Sequence, residues 1–170
     1  PSPLVPRLTP PPVASERRFA EPVASTPHAL CVLAELVDEA VEALAERGMG
    51  GRSFCATFFR SDGLARAIAV ETGTPTRDAA LVMRLFSERL EALRDPIDPG
   101  FGFDMIRLSV PRIEPLGASQ LRLEGGAARA RAMDEFADRL ATRLGRGRVR
   151  RYRPADSHIP EQAQLEFPAI

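Results

Sequence analysis

The sequence predicts an α+β fold in which β-α-β-β-α-β elements build one four-stranded antiparallel sheet with two helices on one face, followed by a C-terminal helix and an extended tail. Three observations carry this reading. Two apolar stripes recur at helical spacing behind capping residues, and several stretches alternate apolar and polar residues with period two. Between two of the alternating stretches, Ser61-Asp62-Gly63 leaves room only for a tight turn, so those strands pair antiparallel as a hairpin. The economical packing of this order is a split βαβ arrangement.

Each element has its own signal. ERRFAEPV, Glu16 to Val23, is a short strand with Pro22 near its end. Thr26-Pro27 reads as an N-cap followed by proline at the first helical position, and opens a helix to about Arg47. Leu30, Leu33, Val37, Val41 and Leu44 form its apolar face, with Gly48 as its stop. RSFCATFFR, Arg52 to Arg60, places Phe54, Ala56 and Phe58 on one face and Ser53, Cys55, Thr57 and Phe59 on the other. The return strand runs from Leu64 to Glu71, and Thr76 is the expected cap of the second helix, whose face is Leu81, Val82, Leu85, Phe86, Leu90 and Leu93. Asp95-Pro96 ends it, because a residue before proline resists helical geometry. Phe103 to Pro111 is the fourth strand.

The flanks differ from this domain, which spans 16–116. Residues 1–15 carry six prolines and read as a semi-stiff connector. In the extension, 117–170, a third helix is expected at about 127–144, with Met133, Phe136, Leu140 and Leu144 as a narrow stripe. A basic extended tail follows, carrying Arg146, Arg148, Arg150, Arg151 and Arg153.

Charge limits the partners. All 23 basic residues are arginine, matched by 23 acids. From Glu16 to Leu116 there are 12 arginines against 16 acids, net −4; from Gly117 to Ile170 there are 10 against 7, net +3. Nucleic-acid modules are usually basic, so a DNA role has to rest on local arginines. Cys31 and Cys55 lie inside apolar patterns, away from any zinc or disulfide spacing, and are expected to be two buried free thiols in a reducing cytoplasm. No apolar run approaches the roughly 20 residues that cross a bilayer, so no membrane partner is expected.

A split βαβ module hosts many functions, so topology alone does not choose among them. The local sequences do more. SERRFAEPV with the helix behind it, the hairpin turning at Asp62-Gly63, and Thr74-Pro75-Thr76 before the second helix together resemble the little-finger domain of Y-family DNA polymerases. DPIDPGFGFDMIRL, Asp95 to Leu108, with ADRLATRLG at 137–145 and DSHIPEQA at 156–163, resembles the ImuB-type branch in particular. The resemblance spans roughly 16 to 163. It implies a catalytically silent adaptor of bacterial translesion synthesis and induced mutagenesis. Its implied partners are duplex DNA, the sliding clamp, an error-prone replicative-type polymerase and a RecA-like accessory protein. The rival readings are the little finger of an active Y-family polymerase and an unrelated ferredoxin-like regulatory or RNA-binding domain.

No catalytic residue, metal ligand or cofactor site is expected. A polymerase holds two metals with carboxylates, and Asp95, Asp98 and Asp104 here read as solvated turn acids. For weak, sequence-independent phosphate contact the candidates are Arg17, Arg18, Arg52, Arg60, Arg66 and Arg107, on or beside the strands. The face expected to be open also offers Cys55, Phe59, Ile68 and Val70. Gln120, Leu121 and Leu123 stand where the family carries a clamp-binding peptide. Glu124 falls at an apolar anchor position and weakens the motif, because burying a carboxylate there costs several kcal/mol. Gln162 to Phe167 is a looser second match. The tail arginines around Tyr152 could meet single-stranded DNA or an acidic protein.

Overall fold

The computed structural model describes residues 13–116, 126–156 and 164–168. In chain order these are β1 (Val13–Val23), α1 (Thr26–Glu46), β2 (Met49–Arg60), β3 (Ala65–Thr76), α2 (Ala79–Glu91), β4 (Phe103–Pro115) and α3 (Gly126–Leu144). A short 3-10 turn (Arg146–Arg148), β5 (Arg150–Pro154) and β6 (Gln164–Pro168) follow. The first four strands form one antiparallel sheet in the order β1-β4-β2-β3. Because β1 and β2 both pair antiparallel with β4, they run parallel to each other with β4 between them, which is the split βαβ arrangement the sequence predicts.

The core is one layer deep. Phe54, Ala56 and Phe58 of β2, Ile68 and Val70 of β3, and Ile106, Leu108 and Val110 of β4 all point to the side covered by α1 and α2. The helices answer with Leu33, Leu36, Val37 and Leu44, and with Leu81, Val82, Leu85 and Phe86. Each fully buried Leu or Phe contributes about 1.5–3 kcal/mol of hydrophobic free energy. Truncating Leu85, which is inaccessible to solvent, to alanine would cost about 2–5 kcal/mol.

Boundaries and caps differ from the expectation in instructive ways. The first strand begins at Val13, three residues before Glu16, because Val13 and Ala14 continue the ladder with Val110 and Ser109 of β4. Ser25, not Thr26, caps α1, its hydroxyl accepting from the N–H of His28 at 3.4 Å. Thr76 is the last residue of β3; Asp78 caps α2 by accepting from Leu81 N–H at 3.0 Å, and the Thr76 hydroxyl accepts from Asp78 N–H at 3.0 Å. The second shift follows from β3, whose strand runs on to Thr76 and so delays the start of α2. Cys31 is exposed on α1 and Cys55 is half-buried, so neither is the buried thiol expected.

The third helix docks in an unexpected orientation. Ala137, Asp138 and Ala141 are buried among its described side chains, while Met133, Phe136 and Leu144 of the expected stripe are more than half exposed. Small side chains let α3 approach β3, the edge strand, and α2. The stripe residues Met133, Phe136 and Leu140 instead line an open groove of about 470 Å³ with Val149 and Phe167. The tail also departs from a plain extended segment: β5 and β6 form an antiparallel pair, with Arg151 opposite Phe167 and Tyr152 opposite Glu166.

Candidate nucleic-acid interface

The helix-free face of the sheet is the candidate interface, and strand register decides which residues reach it. Thr57 pairs with Ala67 on one side and Arg107 on the other, and Arg107 pairs with Glu16. Phe59 likewise stands in line with Ala65, Met105 and Arg18. The open face is therefore carried by Glu16, Arg18, Cys55, Thr57, Phe59, Met105, Arg107 and three exposed alanines of β3. Ile68 and Val70, also expected there, are buried on the helix side at 4% and 2% exposure.

Only two of the six candidate arginines point to this face, and one carboxylate holds both. Arg107 donates to Oε2 of Glu16 through Nε at 2.9 Å and Nη2 at 2.6 Å, and Arg18 Nε donates to Oε1 at 3.2 Å. The Arg107 hydrogen bonds, followed by that of Arg18, hold the Glu16 carboxyl below its ordinary range. The Arg107 guanidinium also lies 5.7 Å from the centre of the Phe59 ring, within cation–π reach.

The other four arginines are placed elsewhere. Arg17 stands in register with Ile106, hence on the helix side, and pairs with Glu39 at 2.8 Å and Glu35 at 3.5 Å, both of α1. Arg52 lies where the β2 register shifts between Gly51 and Ser53; its side chain is 12% exposed, donates to the carbonyl of Gly73 and lies 3.6 Å from Glu114. Arg60 pairs with Asp62 at 2.5 Å and donates to the Asp98 carbonyl at 3.2 Å. The hydrogen bond between the Arg60 and Asp62 side chains raises the Arg60 pKa and lowers that of Asp62. Arg66 pairs with Asp95 at 2.9 Å and donates to the Asp95 and Pro96 carbonyls. Sequence spacing brings all six to strands or strand ends. The register shifts and the acids on distant elements then decide what each one touches.

The remaining candidates divide between the two parts of the extension. Gln120, Leu121, Leu123 and Glu124 lie outside the described residues, as do Gln162 and Ala163. Leu165 and Phe167 of the second match sit in β6, where Arg153 lies 5.3 Å from the centre of the Phe167 ring. Of the tail arginines, Arg151 pairs with Asp134 of α3 at 2.7 Å and Arg150 with Glu166 at 3.4 Å. Arg148 and Arg153 are exposed, and the side chain of Arg146 lies outside the described residues. Asp95 and Asp98 serve arginine pairs and turn contacts, and no group of three or more His, Cys, Asp or Glu among the described residues is arranged to hold a metal ion. No helix among them is long and apolar enough to cross a membrane.

A split βαβ sheet with one face that none of the described helices covers, fused to a helical and basic extension, is the class of module that this geometry defines. Residues 10–123 match the impB/mucB/samB family C-terminal domain, and the chain belongs to that family. It is similar to Protein ImuB of Caulobacter vibrioides, in strains NA1000 / CB15N and ATCC 19089 / CIP 103742 / CB 15, at 33% identity over 147 residues in each. This likeness sets it among the ImuB-type homologues of Y-family polymerases. The match covers 85% of this chain and 31% of the relative, so the chain spans about a third of the length of the curated relatives it matches. Among solved structures, a chain of the complex of beta-clamp processivity factor and little finger domain of PolIV aligns at 19% identity with a TM-score of 0.45, over 66% of this chain and 97% of that one.

Proposed function

We propose that this chain is a non-catalytic, DNA-associating adaptor module of a bacterial translesion-synthesis protein, acting in the cytoplasm in damage tolerance and induced mutagenesis. The observation that carries the reading is the bare sheet face of an impB/mucB/samB C-terminal domain, on which Arg18 and Arg107 share one carboxylate. A phosphate replacing Glu16 as their acceptor would form charge-assisted hydrogen bonds of the same kind, which position a duplex without reading its sequence. The net −4 of the main domain keeps that contact weak. Family likeness supports the other partners: the sliding clamp through Gln120, Leu121 and Leu123, an error-prone replicative-type polymerase and a RecA-like accessory protein.

Titration of a labelled duplex at several salt concentrations tests the DNA arm. Two phosphate contacts give a log–log salt slope of about −2, at about −0.9 per contact. Arg107→Ala should weaken binding and flatten the slope by about one contact. If replacing Arg148, Arg150 and Arg153 by alanine abolishes binding while Arg18→Ala and Arg107→Ala leave it unchanged, the sheet is not the DNA surface and the hairpin is. Primer extension with primer–template, nucleotides and magnesium tests the other arm: synthesis by the purified full-length protein would contradict the non-catalytic reading.

A further inference from the structure

We propose that the loop between α2 and β4 is a protein-docking element, with Phe101 as its anchor and a basic-rimmed apolar pocket on another protein as its partner. Phe101 is 82% exposed, the highest value among the large hydrophobic side chains that the structure leaves exposed. The loop is held in place around it. Arg66 donates to Asp95 and to the carbonyls of Asp95 and Pro96, Arg60 donates to the carbonyl of Asp98, and Asp98 accepts from Gly100 N–H at 2.9 Å. Ser61 N–H, on the β2–β3 turn, donates to the carbonyl of Gly102 at 3.0 Å. Gly100 and Gly102 flank Phe101 with φ of 52° and 107°, backbone that side-chain-bearing residues rarely adopt.

A loose loop would fold its phenylalanine onto the domain, but this one is fixed with the ring outward. Preorganisation of that kind removes the ordering cost that weakens most loop-mediated contacts. Aromatic anchors that fill a pocket dominate the energetics of protein interfaces. Leu64, 60% exposed on the adjoining turn, adds apolar surface beside a recess shared with Ile97 and Asp98.

Charge selects the partner. The side chains of Asp95 and Asp98 are 86% and 77% exposed, whereas those of their arginine partners, Arg66 and Arg60, are 35% and 20% exposed. The carboxylates face outward and the guanidinium groups lie beneath them. A nucleic acid approaching Phe101 would bring phosphates against these acids; a protein pocket rimmed by arginine or lysine would find complementary charge. Arg60 and Arg66, read from the sequence as phosphate contacts, thus serve to build this loop.

The test places the photocrosslinking residue p-benzoylphenylalanine at position 101 of the full-length protein in its own host, with Glu46 on α1 as an exposed control position. The expected adduct is to protein, at a peptide in which apolar residues are flanked by lysine or arginine. Its yield should fall at least about fivefold when Asp95 and Asp98 are both replaced by asparagine, which removes the charge but keeps an oxygen acceptor for Arg66 and for Gly100 N–H, with the melting temperature of the domain unchanged. With the crosslinked protein purified, Phe101→Ala should weaken its binding about tenfold or more. A DNA adduct, an adduct to a second copy of this chain, a yield no greater than at Glu46, or a yield indifferent to the charge removal would each overturn the proposal.

Discussion

Asp138 of α3 holds its Oδ1 atom 2.6 Å from the backbone N–H of Gly73, a residue 65 positions earlier on the edge strand β3. An edge strand presents unpaired backbone groups, and covering them with a helix is one way proteins protect such an edge. Here a carboxylate takes the place of a neighbouring strand. Beside it Arg139 pairs with the buried Glu88 of α2, so two ion-bearing contacts and two alanines seat the helix.

Asp138→Ala should weaken the docking of α3 by about 1–3 kcal/mol, the cost of leaving the half-buried Gly73 N–H without an acceptor. Hydrogen exchange at Gly73 and along α3 reads this directly, and unchanged protection would refute it. Burial, and then the nearby Asp134 charge, raise the Asp138 carboxyl from 3.8 to about 6, against the lowering effects of the Gly73 N–H, Arg151 and Arg52. The docked state therefore binds the proton more tightly than the undocked one. Docking is strongest below 3.8, weakens as pH rises towards about 6, and is level above it. Asp138→Asn keeps an oxygen acceptor without the charge, so it should remain docked and lose this pH dependence.

Glu16 restrains the open face. Glu16→Gln should release Arg18 and Arg107, tighten duplex binding several-fold at low salt and steepen the salt slope by about one contact. Fluorescence anisotropy with the wild type alongside measures both. An unchanged affinity would mean that these two arginines do not meet phosphate.

Arg52 should behave as a structural residue. Its guanidinium is nearly buried and bonded to the Gly73 carbonyl, so Arg52→Ala should cost about 1.5–3 kcal/mol in chemical denaturation, as for other hydrogen bonds to charged groups. DNA affinity of the folded variant should be unaltered. A stable variant with weakened DNA binding would restore Arg52 to the interface.

Two glycines with positive φ make a matched pair. A Cβ at Gly102 would lie 2.5 Å from Pro22 Cβ and 2.9 Å from its carbonyl carbon, whereas one at Gly63 meets nothing within 4 Å. Gly63→Ala should cost about 1–2 kcal/mol of backbone strain alone. Gly102→Ala adds a steric clash and should cost clearly more, measured as the difference in unfolding free energy between the two variants.

The sequence by itself determined the order of the first six elements, the core faces of β2, α1 and α2, and the Asp62-Gly63 turn. Period-two alternation in Phe54, Ala56 and Phe58, helical spacing in Leu33, Val37 and Leu44, and Asp62-Gly63 between strands are local signals, and each survives unchanged in the folded chain. The resemblance to little-finger domains rests on SERRFAEPV, the Asp62-Gly63 turn and Thr74-Pro75-Thr76. What only the tertiary structure decided are relationships between distant residues. Whether Arg17 or Arg18 faces the open side depends on which β4 residue it stands beside, and one step of register reverses the answer. Whether Arg60 meets phosphate or staples a loop depends on Asp98, 38 residues away. The docking face of α3 was hidden for a related reason: hydrophobic spacing points to its large residues, but close approach to a strand edge favours Ala137 and Ala141, with Asp138 between them to satisfy the backbone.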